Sequence, residues 1–130
     1  MYENFIAFQK TYDFVLYLIP ILNRFPKSQR FTLAQEIEIS VLGVLRALRE
    51  GVNANGAERL REWRKASRTL DDLRILIRLA KDARFLSIKQ YGTCAEKMNE
   101  IGKLTGGLIH SSSSHQVIAI KAQVGGNMNT

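Results

Sequence analysis

The fold of this chain is decided by residues 57–84, which read AERLREWRKASRTLDDLRILIRLAKDAR. Apolar residues recur in this stretch every three or four positions, which is the spacing of one face of an α-helix. The stretch therefore predicts one long helix over 57–84. Three other segments show the same spacing, and they predict helices over 4–24, 32–50 and 88–109.

Four helices of about 20 residues with short connections predict an all-α fold, an antiparallel up-down four-helix bundle. The bundle is assigned to residues 1–110. Residues 111–130 begin with four serines and are predicted to form a flexible or weakly structured C-terminal tail. Within that tail, residues 117–124 could be a short strand or stay disordered.

Local signals mark three of the helix ends. The patterns Thr32-x-x-Gln35 and Ser87-x-x-Gln90 are typical of capping boxes at helix N-termini. Gly51 is placed to end the second helix in the left-handed conformation. These signals predict side-chain caps at the start of the second and fourth helices.

Side-chain spacing also predicts which helix faces meet. Gly102 and Gly106 would let another helix approach the fourth one closely. The third helix is apolar on two sides, which indicates a subunit interface or a broad core face. Its first side carries Leu73, Leu76, Ile77 and Ala80, and its second side carries Ile75 and Leu79.

The apolar stripe of the first helix consists of Phe5, Phe8, Tyr12, Val15, Leu16 and Ile19.

Composition narrows the class of protein. Hydrophobic residues make up 45% of the chain, which suits a packed core. The longest apolar run, residues 14–22, is too short for a membrane span and contains Pro20. No secretory signal is recognisable, and the single Cys94 cannot form an internal disulfide. The sequence predicts a cytoplasmic protein with no membrane contact.

The charge is strongly basic. Nineteen Lys and Arg oppose twelve Asp and Glu, for a net charge of +7, and such a balance attracts polyanions. Residues 57–84 hold nine of the bases against five acids. The alternative to nucleic-acid binding is that these bases form a solvent-exposed helix face with ion pairs inside the helix. The residues predicted to contact nucleic acid or a polymerase are Lys27, Arg30, Arg61, Arg64, Lys65, Arg68, Arg74, Arg78, Lys81 and Arg84.

No constellation for catalysis is visible in the sequence. His110 and His115 are five apart, which does not place two imidazoles on one helix face for a metal ion. Cys94 has no basic neighbour in sequence to activate it. Trp63 is expected to be a core or interface anchor, with base stacking as the alternative. We expect no catalytic residue, metal or cofactor, and a protein that is not an enzyme.

Four stretches resemble the accessory variability determinant (Avd) proteins of diversity-generating retroelements. They are residues 25–33 (FPKSQRFTL), 73–82 (LRILIRLAKD), 86–91 (LSIKQY) and 100–107 (EIGKLTGG). The likeness covers about residues 14–109. These proteins belong to a wider group of four-helix bundles that includes proteins encoded in ribosomal-RNA intervening sequences.

The resemblance implies a homopentameric barrel that binds RNA and DNA and associates with the retroelement's reverse transcriptase. It implies support for mutagenic copying of a template RNA into cDNA, in which the polymerase carries the chemistry. By position in the matched stretches, Arg74, Arg78 and Lys81 would contact the polymerase or RNA, with Lys27 and Arg30 in a basic loop. A module that binds an acidic protein partner remains the alternative function.

Overall fold

The computed structural model describes the backbone of residues 2–128 and the side chains of residues 5–113. Within residues 2–128 the chain forms four α-helices, one short 3-10 turn and no strand, which confirms the all-α prediction. The elements are α1 (Tyr2–Leu22), the 3-10 turn (Lys27–Gln29), α2 (Leu33–Asn53), α3 (Gly56–Asp82) and α4 (Ile88–Met128).

The helices form a ring of four, in which each packs against two others. The pairs α1–α2, α2–α3, α3–α4 and α1–α4 are in contact, so α1 and α3 occupy diagonal corners. Short loops join consecutive helices, which makes neighbours antiparallel. The core between them is apolar, with Phe14, Ile37, Leu73 and Ile101 among its fully buried side chains.

The buried face of α1 is not the one predicted. Ala7, Thr11, Phe14 and Leu18 are buried, and the buried Thr11 hydroxyl donates a hydrogen bond to the Ala7 carbonyl at 2.9 Å. Because α1 is apolar on both sides, spacing alone selected the wrong one. The members of the predicted stripe that the structure leaves exposed are Phe5, Tyr12, Leu16 and Ile19.

One predicted capping box is confirmed and the other is wrong. The Ser87 N–H donates to Gln90 Oε1 at 2.9 Å, and the Gln90 N–H donates to Ser87 Oγ at 3.0 Å. Thr32 makes no cap bond. Its hydroxyl donates to Gln29 Oε1 at 2.9 Å instead, because the 3-10 turn brings Gln29 beside it.

The glycine predicted to end α2 lies inside that helix. Gly51 is buried, and the indole of Trp63 occupies the space that a Cβ on residue 51 would need. Gly51 therefore serves close packing rather than a left-handed cap. Among the described residues, the left-handed backbone region is occupied by Gly56 (φ 56°) and by Arg84 (φ 68°), which follows α3.

The fourth helix is much longer than predicted. It continues through the four serines to Met128, so the predicted end near residue 109 and the possible strand over 117–124 are both wrong. Serine is only a modestly poorer helix former than alanine, and an established helix propagates through such residues when no proline stops it. The division of the chain at residue 110 into bundle and tail stays a prediction.

The first helix contains an apolar stretch, Phe5–Leu22, that is long enough to cross a membrane by length and composition. The bundle gives that stretch another role, because Phe14 and Leu18 on it are fully buried against the other helices. α1 is therefore a core helix of a helical protein and not a lone apolar segment.

Candidate nucleic-acid interface

The outward face of α3 carries a stripe of basic side chains along its first half. The residues of α3 that face the core recur at helical spacing, from Leu60 through Ile77. The side of the helix opposite them presents four exposed side chains. We call them the basic stripe, and they are Arg61, Arg64, Lys65 and Arg68.

The basic stripe is free of internal ion pairs. Among the described side chains, no carboxylate lies within 4.0 Å of any of its four cations. Arg61, Arg64 and Arg68 line one shallow concavity of about 370 Å³. At 1.5 Å of rise per residue, residues 61–68 extend about 10 Å along the helix axis. That length matches about three phosphates along one strand of a duplex.

Arg74 has a different environment, because its side chain reaches across to α4. Nη1 donates to Asn99 Oδ1 at 2.7 Å, and Nη2 donates to the Met98 carbonyl at 3.2 Å. The carboxylate of Asp71 is 3.8 Å from Nε. The guanidinium is therefore used to join α3 to α4, which leaves few of its N–H groups for a phosphate.

Arg78 and Lys81 share one carboxylate. Arg78 Nε lies 3.9 Å from Asp82 Oδ2, and Lys81 Nζ lies 3.5 Å from Asp82 Oδ1. Lys81 Nζ also lies 4.4 Å from the centroid of the Tyr91 ring. The structure thus divides the predicted bases of α3 into an unpaired set in the first half and a partnered set in the second.

The basic loop lies near the second half of α3. Lys27 and Arg30 are exposed, and neither has a carboxylate within 4.0 Å among the described side chains. Phe31, which follows them, lines one concavity with Leu79 and Phe85. The loop cations are therefore separate from the basic stripe.

Two residues near the basic stripe were assigned no binding role from the sequence. Arg59 donates to the carbonyls of Gly51 and Val52 at 2.9 and 3.0 Å and so caps the C-terminus of α2. Arg46 on α2 is exposed and lines a groove with Lys65. Residues 32–54 hold two bases against three acids, so their charge gave no reason to select Arg46. Its position beside Lys65 becomes evident only when α2 packs against α3.

Trp63 is a core residue and not a base-stacking platform. Its side chain is 3% exposed, and the Arg59 guanidinium lies 5.5 Å from its ring centroid. Its Nε1 has no hydrogen-bond partner among the described residues. The base-stacking alternative is therefore wrong, since no nucleotide can reach the ring.

Beyond the basic stripe, the outward face of α3 presents two large apolar side chains among exposed acidic ones such as Asp72. Ile75 is 67% exposed and Leu79 is 52% exposed, and both continue the helical direction of the stripe. Phe31, 82% exposed, lies in the loop packed beside Leu79. We call Phe31, Ile75 and Leu79 the apolar patch. Its counterpart on the diagonal corner is the exposed face of α1, which comprises Phe5, Tyr12, Leu16 and Ile19.

Neither metal chemistry nor thiol chemistry is supported by the described side chains. No three of their His, Cys, Asp and Glu residues are grouped as metal ligands. His110 is exposed, and the side chain of His115 lies outside the described residues. Burial raises the pKa of Cys94 from its ordinary 9.0 to about 11, only partly offset by Lys97. This thiol stays protonated and unreactive at neutral pH.

Comparisons with known proteins bear on the fold and on the family. The chain superposes on the crystal structure of a protein of unknown function from the S23 ribosomal protein family of Bacteroides thetaiotaomicron, with a TM-score of 0.77 and 17% identity. The match covers 83% of this chain and 98% of that one and supports the helical-bundle fold. No curated protein matches the chain. The bAvd-like family model matches residues 5–112, and the chain therefore belongs to the bAvd-like family of accessory variability determinant proteins.

Proposed function

We propose that this protein is a non-enzymatic, nucleic-acid-binding accessory subunit that works with a retroelement reverse transcriptase in the cytoplasm. It supports mutagenic cDNA synthesis from a template RNA, and the polymerase performs the chemistry. Membership of the bAvd-like family supports the retroelement context. The observation that carries the binding role is the basic stripe, four exposed cations with no carboxylate within 4.0 Å among the described side chains.

The stripe binds RNA or DNA through phosphates. Arginine offers a planar fork that grips two phosphate oxygens at once. Because the cations follow one helix face and no exposed aromatic ring lies among them, they position a backbone and do not read bases. A bound polyanion releases its counterions, and this release supplies the affinity.

Neutralising the stripe tests this role. The variant Arg61→Gln, Arg64→Gln, Arg68→Gln should lose at least about tenfold in affinity for a structured RNA at low salt. The matched control Arg24→Gln, Arg49→Gln, Lys103→Gln removes the same charge from exposed positions elsewhere. Equal losses in both variants would mean that only net charge matters and would overturn the assignment.

The protein also assembles as a homopentameric barrel in this proposal. Exposed apolar side chains of this number usually mark an interface. The apolar patch and the exposed face of α1 differ from one another and lie on diagonal corners. Contact between two different surfaces is heterologous, and such contacts form a ring when the rotation from one subunit to the next closes, or an open filament when it does not. The two apolar surfaces thus support a ring of subunits.

Light scattering tests the assembly. The wild-type protein should have the mass of several protomers, and Ile75→Asp should convert it to monomers while its helicity remains. The control is Ile39→Asp, which places the same charge on an exposed isoleucine of α2. A monomeric wild-type protein, or dissociation by both variants alike, would contradict the ring.

A further inference from the structure

The turn between α3 and α4 forms a concavity of about 860 Å³ that the basic stripe does not use. Its volume is within the range of small-molecule sites. Leu86 on its floor is buried, and Phe85 is held in place by the Phe25 ring, 5.5 Å away between centroids. The remaining lining residues are Lys81, Asp82, Arg84, Ser87, Ile88 and Tyr91.

Arg84 at the rim has an unfavourable backbone conformation. Its φ is 68°, the left-handed region that glycine occupies far more easily than arginine. The Phe85 N–H donates to the Ala80 carbonyl and the Arg84 N–H to the Lys81 carbonyl, both at 2.9 Å. These bonds define a Schellman turn, in which glycine is the usual residue. Residues in such strained backbone conformations cluster at functional sites. The conformation therefore points to a functional role for the Arg84 side chain.

The concavity combines aromatic, apolar and cationic surfaces. The half-buried Tyr91 ring has Lys81 Nζ at 4.4 Å from its centroid. Ile88 is 85% exposed beside it. Asp82 already pairs with Lys81, whereas Arg84 has no carboxylate within 4.0 Å among the described side chains. Arg84 is therefore the cation available to an anionic ligand.

We propose that this concavity holds an unpaired nucleotide of the bound nucleic acid, with its base against Tyr91 and Ile88 and its phosphate against Arg84. Single-stranded nucleic acid is recognised by such pairings of ring surface with nearby cations. The site lies roughly 25 Å from Arg68 along the direction of α3, a distance that a strand of several nucleotides can span. This inference rests on the proposed nucleic-acid binding and adds a preference for unpaired residues.

Two RNAs that differ in a single feature test the proposal. One is a blunt hairpin, and the other is the same hairpin with an unpaired uridine tail. The wild-type protein should bind the tailed RNA about tenfold more tightly. Arg84→Gly and Tyr91→Leu should lose this difference, whereas Tyr91→Phe should retain it, and Tyr91→Leu should bind the blunt hairpin as the wild-type protein does. Since glycine suits the Schellman turn, Arg84→Gly stays folded.

Three results would overturn the proposal. The wild-type protein could bind both RNAs equally, the two variants could weaken both RNAs alike, or a tail of abasic residues could bind as well as uridine. Failure of the proposed function looks different, because then neither hairpin is bound even at low salt. Binding of the blunt hairpin without a tail preference rejects this inference alone.

Discussion

The guanidinium of Arg74 on α3 lies directly over Gly102 on α4. Its Nη1 donates to Asn99 Oδ1 at 2.7 Å, and a Cβ on residue 102 would lie only 2.6 Å from its Nη2. At Gly102, where close approach of another helix was predicted, the nearest atoms of α3 belong to the side chains of Arg74 and Leu70 and not to its backbone. Gly106, the other glycine predicted to allow close packing, has no described atom of another helix within 4 Å of the place of a Cβ.

A double-mutant cycle should reveal this contact as a coupling free energy. Gly102→Ala in the wild-type protein gains about 1 kcal/mol of helix propensity but displaces the guanidinium from its hydrogen bonds, which costs about 1–3 kcal/mol. In the Arg74→Ala background only the gain remains. Urea unfolding of the four proteins should give a coupling of about 1 kcal/mol or more, and additive effects would contradict the contact.

Gly51 should be far less tolerant of a side chain than an open glycine. Gly51→Ala would drive a methyl group into the buried Trp63 indole, and we expect it to lower the free energy of unfolding by about 1–3 kcal/mol. Gly92→Ala is the control, because the space around Gly92 is open. It should raise that free energy by about 1 kcal/mol. Equal effects in denaturant titrations would contradict the packing of Trp63 on α2.

Replacing Arg84 with glycine should stabilise the protein. The left-handed conformation costs a non-glycine residue about 1–2 kcal/mol, and the greater freedom of unfolded glycine removes part of this gain. Arg84→Gly should raise the melting temperature by roughly 4 °C. Arg84→Ala keeps the backbone penalty and should leave the melting temperature nearly unchanged. A gain in both variants would show that the side chain, and not the backbone, is unfavourable.

The buried thiol of Cys94 predicts a fall in stability at high pH. Its pKa is about 11 in the folded protein and 9.0 ordinarily. The unfolded state therefore loses this proton first, and the free energy of unfolding decreases as the pH rises from 9 toward 11. Urea titrations across this range should show a steeper decrease for wild type than for Cys94→Ala. Parallel curves would mean that the thiol ionises equally in both states.

Periodicity located all four helices because each has a long apolar face, but it could not choose the face of α1. Both sides of that helix are apolar, and only the positions of α2 and α4 decide that Phe14 is buried and Leu16 exposed. The sequence pattern also could not decide which of the two predicted helix caps forms. Thr32 and Ser87 have equivalent patterns, yet the bond from Thr32 to Gln29 replaces one cap.

The sequence identified the basic residues of the candidate site, but it could not show which of them are free to bind a phosphate. Helical spacing alone assembled the basic stripe, because its members are close in sequence and share one face. The partner of Arg74 is Asn99, on another helix and 25 residues away. A contact between two helices decides whether an arginine holds the bundle together or is free to bind a ligand. Residue spacing within one helix cannot predict such a contact.

The salt dependence of RNA binding tests the central claim most directly. The logarithm of the association constant should fall linearly with the logarithm of the salt concentration. In the Arg61→Gln, Arg64→Gln, Arg68→Gln variant the slope should be shallower by about two to three units for each protomer that contacts the RNA. The control with Arg24, Arg49 and Lys103 neutralised should keep the wild-type slope. A triple variant of the stripe with wild-type slope and affinity would contradict the account.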